Sequence, residues 1–226
     1  MSRPTTPSDR TAGAKDDHSA LMAPTSLSRR DALKAGAASM ATLLTISPIG
    51  PALLSELARL AGGKPMTGAR LADILHTERA RWNSLLAEVR PDRMETPGVE
   101  GKWSVKQIVA HLTWYERQIV LGAQRARDTG AFTRDQGALA GLTLDERNDR
   151  LAAESSSRPL SDVLAEADQV FAQLLTIIVA APQDALNDPQ RLGLPDDIPP
   201  WMRVANNSYA HYRSHAQAVR DWLTRQ

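Results

Sequence analysis

From Met66 to the end of the chain, large apolar residues return at steps of three and four, and no stretch alternates apolar with polar residues between hairpin turns. That single period leaves helices as the only regular element and an all-α bundle as the way to bury their stripes. The first stripe is Leu71, Leu75, Trp82, Leu85, Leu86 and Val89, and Arg90-Pro91-Asp92 ends it. A second helix opens at Ser104, where Gln107 completes a capping box and Trp103 and Ile108 stand as a hydrophobic staple. Its inward face is Ile108, His111, Leu112, Tyr115 and Ile119, and it runs to about Asp128-Thr129-Gly130. After an irregular, glycine-rich stretch, Thr143 and Glu146 have capping-box spacing ahead of a short crossover helix over Leu144 to Ala153. A third long helix, with Ser161 as its cap, passes through Val163, Leu164, Ala167, Phe171, Leu174, Leu175 and Ile178 and stops before Pro182. Residues 183–200 are rich in Asp and Pro without periodicity, and are expected to form a loop across one end of the bundle. A last helix follows from about Met202 to Leu223. The expected fold is an all-α four-helix bundle with a short crossover helix, occupying residues 63–226.

The chemistry upstream is different. Residues 1–27 are Pro, Ser, Thr, Asp and Gly with few large apolar side chains, too little to offset the entropy of ordering, so a disordered leader is expected there. Residues 28–62 begin Ser28-Arg29-Arg30-Asp31-Ala32-Leu33-Lys34 and continue from Ala35 to Ser55 without a charge. A basic flank before a mildly apolar run is the pattern of an export signal, and the adjacent arginines make it resemble a twin-arginine signal. Ala32 stands where that pattern prefers Phe. The reading expects the twin-arginine translocation machinery as a partner, an exported or periplasmic location, and a new terminus between about Ala52 and Gly63. Retention in the cytoplasm is the alternative. A spanning helix is disfavoured by Pro48, Pro51 and the glycines of the run.

Composition narrows the chemistry. Lys and Arg number 27 against 26 Asp and Glu, so no field strong enough to recruit nucleic acid follows. The chain has no cysteine, which excludes thiol nucleophiles and Cys-type zinc sites and leaves His, Asp and Glu as metal ligands. On the last helix Val204, Ser208, His211, His215, Val219 and Trp222 form one inward stripe, so His211 and His215 are one turn apart and can face a single ion. His111 lies on the inward face of the second helix, and facing helices of a bundle converge ligands into the core. Three imidazoles would leave coordination positions open, as in catalytic sites. The competing reading makes them core histidines bonded to Tyr115, Tyr212 or backbone. Glu78, on the inward stripe of the first helix, is a candidate ligand, general base or outer partner of a histidine. Trp114, Tyr115, Asn207 and Tyr212 are the candidate substrate-lining residues, while His18 and His76 have no such context.

The run from Pro97 through Gly98-Val99-Glu100-Gly101-Lys102-Trp103-Ser104 to His111-Leu112-Thr113-Trp114-Tyr115-Glu116 resembles the ClbS/DfsB-like four-helix proteins of the DinB superfamily. So do Leu144-Asp145-Glu146-Arg147-Asn148, Arg158-Pro159-Leu160-Ser161-Asp162-Val163-Leu164 and Asn207-Ser208-Tyr209-Ala210-His211-Tyr212-Arg213-Ser214-His215. The resemblance implies the DinB arrangement, with His111, His211 and His215 as a triad for a divalent ion such as zinc, nickel or iron. It implies either metal-assisted hydrolysis or transfer on a small electrophilic molecule, and many DinB-like bundles are homodimers. Ring-opening self-protection against a genotoxic electrophile is described in the nearer family, some of whose members lack the triad. The rival function is a protein that sequesters a toxic small molecule without turning it over, and a third is a structural, partner-binding module.

Overall fold

The computed structural model describes residues 64–194 and 198–225, so the expected leader and signal-like segment, with His18, lie outside the described residues. Among the described residues all regular elements are helical, apart from an isolated antiparallel bridge between Glu100 and Trp103. They are α1 (Gly68–Ala87), α2 (Val105–Thr129), α3 (Leu144–Ser156), α4 (Leu160–Ala180), α5 (Gln183–Asn187), α6 (Pro200–Asn207) and α7 (Tyr209–Thr224), with short 3-10 turns between some of them. α1 packs against α4 and α7, and α2 against α4, α6 and α7, which closes a ring of four long rods. The crossover helix α3 lies on α2. The apolar stripes meet inside this ring: Leu71, Leu75, Trp82 and Leu85 from α1, Ile108, Leu112 and Ile119 from α2, Val163, Ala167, Leu174 and Ile178 from α4, and Val204, Val219 and Trp222 from the last rod are all buried.

Both capping boxes form. Ser104 N donates to Gln107 Oε1 at 2.8 Å while Gln107 N donates to Ser104 Oγ at 3.3 Å, and Thr143 and Glu146 exchange the same pair of bonds at α3. Ser161 is not a cap. α4 begins two residues earlier than that cap would set, because Leu160 is half-buried against the core and the Pro159 carbonyl takes the Asp162 and Val163 amides, each at 3.2 Å. Residues 183–194, expected as part of a loop, hold regular structure. They carry the single-turn helix α5, whose Asn187 side chain clasps the Met66 backbone through two 2.8 Å hydrogen bonds and pins the start of the first rod. A one-turn helix is too short to show a period.

The last rod is two helices rather than one. Ser208 has φ −132° and ψ −107°, and its Oγ donates to the Val204 carbonyl at 2.6 Å in place of a regular ladder bond. The ladder restarts with Tyr212 N donating to Ser208 O at 2.9 Å. α2 and the connection that follows it meet at Gly122, where a Cβ would stand 2.4 Å from the Phe132 ring. Phe132 is tied in turn by its amide to the Leu192 carbonyl at 2.9 Å. Gly122→Ala is therefore expected to destabilise the fold by about 1–3 kcal/mol through overpacking. The urea midpoint checks it, and an unchanged midpoint would mean that the ring moves aside freely.

Candidate metal centre

Each histidine of the expected triad arrives on a helix whose register is fixed by core packing. On α2, His111 lies between the buried Ile108 and Leu112, so it shares their inward face; on α7, His211 and His215 share a face with Val219 and Trp222. The result is a set of three imidazoles, 2–5 % exposed, whose ligand nitrogens all lie within 4.8 Å of one another. His111 Nε2 and His211 Nε2 are 3.0 Å apart. Two imidazole nitrogens on one ion at about 2.0–2.1 Å stand roughly 3 Å apart, so this pair has the separation a metal requires.

Burial sets the protonation state. Removal from water holds His111 down to about 3, with the nearby His215 adding to it, and holds His211 well below the ordinary histidine range, with His111 and His215 adding. Both rings are neutral at pH 7 and offer lone pairs. His111 Nδ1, His211 Nδ1 and His215 Nε2 are buried without a hydrogen-bond partner among the described residues. The tyrosines that would satisfy them as core histidines are engaged elsewhere: Tyr115 donates to Asn148 Oδ1 at 3.0 Å and Tyr212 donates to Glu116. Of the nitrogens that converge, His111 Nε2 and His211 Nε2 meet each other and His215 Nε2 has no hydrogen-bond partner among the described residues, so three buried histidines could hold a divalent ion.

The outer partner of the set is Glu100. His215 Nδ1 lies 2.5 Å from Glu100 Oε2, a half-exposed carboxylate that fixes which ring nitrogen faces the other two histidines. Glu100 reaches this place because the segment before α2 folds back on itself. Val99 N donates to Trp103 O and Trp103 N to Glu100 O, with Gly98 at φ 97° and Gly101 at φ 56°, left-handed values that residues with a Cβ adopt at a cost. Trp103, expected as a staple, also closes over the site, with its ring centroid 5.0 Å from that of His111. Glu100→Ala is expected to lower metal affinity about 10–100-fold while leaving the fold intact, since the side chain is a rim group. A zinc titration of both proteins checks it.

The remaining site residues divide. Tyr115 packs edge-on against His111 and His211, at 4.8 and 5.0 Å between centroids, and Trp114 packs against Tyr115 at 4.9 Å. Asn207 is buried at the end of α6, where its Nδ2 donates to the Arg203 carbonyl and its Oδ1 has no hydrogen-bond partner among the described residues. Tyr212 faces away from the histidines, stacked on Trp82 and bonded to Glu116 and Arg79. Glu78 is buried as its stripe requires, but its carboxylate is held by Arg213 at 2.8 and 2.9 Å and by Arg81 at 2.6 Å, and the Arg213 hydrogen bond keeps it below the usual carboxylate range. The carboxylate on the histidines is Glu100 instead. His76 is exposed on α1 and makes an edge contact to Phe171.

No curated protein matches the chain. Among solved structures it is similar to an uncharacterised protein from Escherichia coli UTI89, with a TM-score of 0.59 and 18% identity over 71% of this chain and 95% of that one. A protein from Streptococcus pneumoniae is similar with a TM-score of 0.59 and 10% identity, over 70% of this chain and 90% of that one. At these identities the likeness is one of fold. The sequence model of the DinB superfamily matches residues 74–217, a span that runs from α1 through the bundle to His215 and takes in all three histidines. By that match the chain belongs to the DinB superfamily.

Proposed function

We propose that this DinB-superfamily protein is a divalent-metal-dependent enzyme acting on a small electrophilic substrate by hydrolysis or group transfer, with His111, His211 and His215 as the ligands. The observation that carries the reading is the set of three buried imidazoles whose ligand nitrogens lie within 4.8 Å of one another, two of them, His111 and His211, held neutral by burial. A divalent ion held there would supply Lewis acidity and acidify water at neutral pH. The chain's own residues do the rest. Glu100 fixes the His215 ring, Trp103 and Tyr115 wall the histidines with aromatic surface, and Trp114 extends that wall. Zinc, nickel and iron all suit an all-imidazole donor set.

The ClbS/DfsB-like motifs favour that branch of the superfamily, with detoxification of a reactive molecule as the role. The Ser28-Arg29-Arg30 signal favours export by the twin-arginine route, which carries folded proteins, and a homodimer fits the habit of such bundles. The deciding experiment is elemental analysis of protein purified without a histidine tag, followed by incubation with epoxide and thiol-acceptor panels. Stoichiometric metal with product formation is the expected result. Metal-free protein that protects by saturable binding, with no product, would instead make it a sequestering protein.

A further inference from the structure

Among the described residues, α4 is the one helix that is long and apolar enough to cross a membrane by length and composition. Its inward residues Val163, Ala167, Leu174 and Ile178 fill the core, but its apolar character does not stop there. Ala172, Leu175 and Val179 recur at steps of three and four on a second face. Ala172 is exposed and Leu175 half-buried, and Val179, at 64 % exposure, is the one large apolar side chain left open among the described residues. The first charge along that stripe is Asp168, one turn before Ala172, and Arg79 holds it at 3.0 Å. A lone exposed Val is ordinary on a surface; a stripe of this kind on a helix marks a face without a partner.

The start of α1 forms the other bank of a groove beside the stripe. A Cβ on Gly68 would stand 2.4 Å from the Ile178 carbonyl oxygen and 3.2 Å from that of Val179, and the His76 ring meets Phe171 edge-on at 6.0 Å. Asn187 pins Met66 just before this close approach, so the chain enters the bundle at the Val179 end of the groove.

Immediately upstream of that entry the sequence reads Leu53-Leu54-Ser55-Glu56-Leu57-Ala58-Arg59-Leu60-Ala61-Gly62-Gly63. On a helical wheel Leu53, Leu54, Leu57 and Leu60 fall within an arc of about 120°, with Ser55, Glu56 and Arg59 outside it. Residues 53–61 as a helix would span about 13 Å, and residues 172–179 of α4 span about 10 Å, so the lengths match. Gly62 and Gly63 permit the left-handed backbone that a reversal into the groove needs.

We propose that residues 53–60 dock as a short amphipathic helix in the groove between α1 and α4, laying their leucines on Ala172, Leu175 and Val179. The segment then belongs to the bundle rather than to the signal ahead of it. Signal removal ends upstream of Leu53, since a terminus at Gly63 would leave the groove bare.

The chain has no cysteine, so introduced thiols report without background. In the full chain, Val179→Cys is expected to react with a thiol reagent about 10-fold more slowly than Gln173→Cys, an exposed position on another face of α4. Adding Leu53→Asp and Leu57→Asp is expected to restore the fast rate. Under mild oxidation, the Leu60→Cys/Val179→Cys pair is expected to close an intramolecular disulfide about 10-fold faster than Arg59→Cys/Val179→Cys, whose tether is nearly the same length but whose thiol lies outside the leucine arc. Thermal melts confirm that the variants fold. Equal labelling at positions 179 and 173, or equal oxidation of the two pairs, overturns the proposal. Disulfide-linked dimers of Val179→Cys where Gln173→Cys gives none would assign the groove to a second copy of the chain. Protection of Val179→Cys only in the presence of phosphatidylglycerol vesicles would assign it to a membrane surface, and either result overturns the docked segment.

Discussion

His211→Ala is expected to abolish tight metal binding and, with it, the stabilisation that a divalent ion would confer on the protein. The expectation comes from the place of His211 in the set: it is 2 % exposed, and its Nε2 is the nitrogen 3.0 Å from His111 Nε2. Losing an outer partner of a ligand typically costs 10–100-fold in affinity, and loss of a ligand itself should exceed that, on the order of 10³-fold. Because a divalent ion binds the folded site and finds no preformed site in the unfolded chain, wild-type protein at a free metal concentration of about 100 Kd gains roughly 2.7 kcal/mol. The variant gains nothing at that concentration. His111→Ala and His215→Ala should behave alike, whereas Tyr115→Phe, which removes only the hydroxyl bonded to Asn148, leaves metal affinity unchanged. Denaturation with and without added zinc, nickel or ferrous iron reads the effect directly. A wild type that no divalent ion stabilises would sink the metal reading, whatever the variants do.

How far this site could be read in advance depends on the range of the interaction that places each residue. Residues set by local chemistry were legible. Ser104 with Gln107 and Thr143 with Glu146 start their helices by bonds spanning three residues, and His111, His211 and His215 take their orientation from a helical period that surrounds them with Ile108, Leu112, Val219 and Trp222. Residues set by a partner far along the chain were not. The stripe that carries Glu78 inward is correct, but nothing in a stripe shows that Arg213, 135 residues away, takes its carboxylate. Nothing local marks Glu100 as the partner of His215; the positive φ angles at Gly98 and Gly101 that accompany its approach are a tertiary fact, although the Gly-x-x-Gly spacing is a local hint. Ser208 shows the limit from the other side. It satisfies the inward stripe of a continuous helix and is buried as that stripe requires, yet its hydroxyl competes with the backbone and breaks the rod there. Tyr212, one residue past His211 on the same helix, is turned about 100° from it and so serves a different cluster from the one expected.

That cluster carries the second large effect. Glu116 is fully buried on α2, accepts the Tyr212 hydroxyl from α7, and lies 3.6 Å from the Arg79 guanidinium of α1. Since α2 also carries His111 and α7 also carries His211, the Glu116–Tyr212 bond is a second tie between the helices that bring the histidines together. Glu116→Ala leaves Arg79 and the Tyr212 hydroxyl short of a buried partner and should cost about 3–5 kcal/mol. Glu116→Gln behaves differently, with a sign that depends on pH. Burial raises the Glu116 carboxyl from 4.5 to about 7, more than Arg79 and Tyr212 lower it. Between those two values the folded protein holds a proton that the unfolded chain has released, so the slope of stability with pH is negative and Glu116 costs the wild type progressively more as pH rises from 4.5 to 7. The accumulated difference is roughly 3 kcal/mol. Gln has no proton to lose and keeps a hydrogen-bonding side chain of the same length. The variant therefore gains on the wild type by up to that amount between pH 5 and pH 7.5, and the gain levels off above. His111 and His211 push the other way in both proteins, because their depressed values make the metal-free fold lose stability as pH falls below 6.5, so they cancel in the comparison. Urea denaturation of metal-free wild type and Glu116→Gln across that range isolates the carboxyl. Parallel curves would mean that Glu116 is ionised in the folded core at every pH tested, and that Arg79 offsets its burial in full.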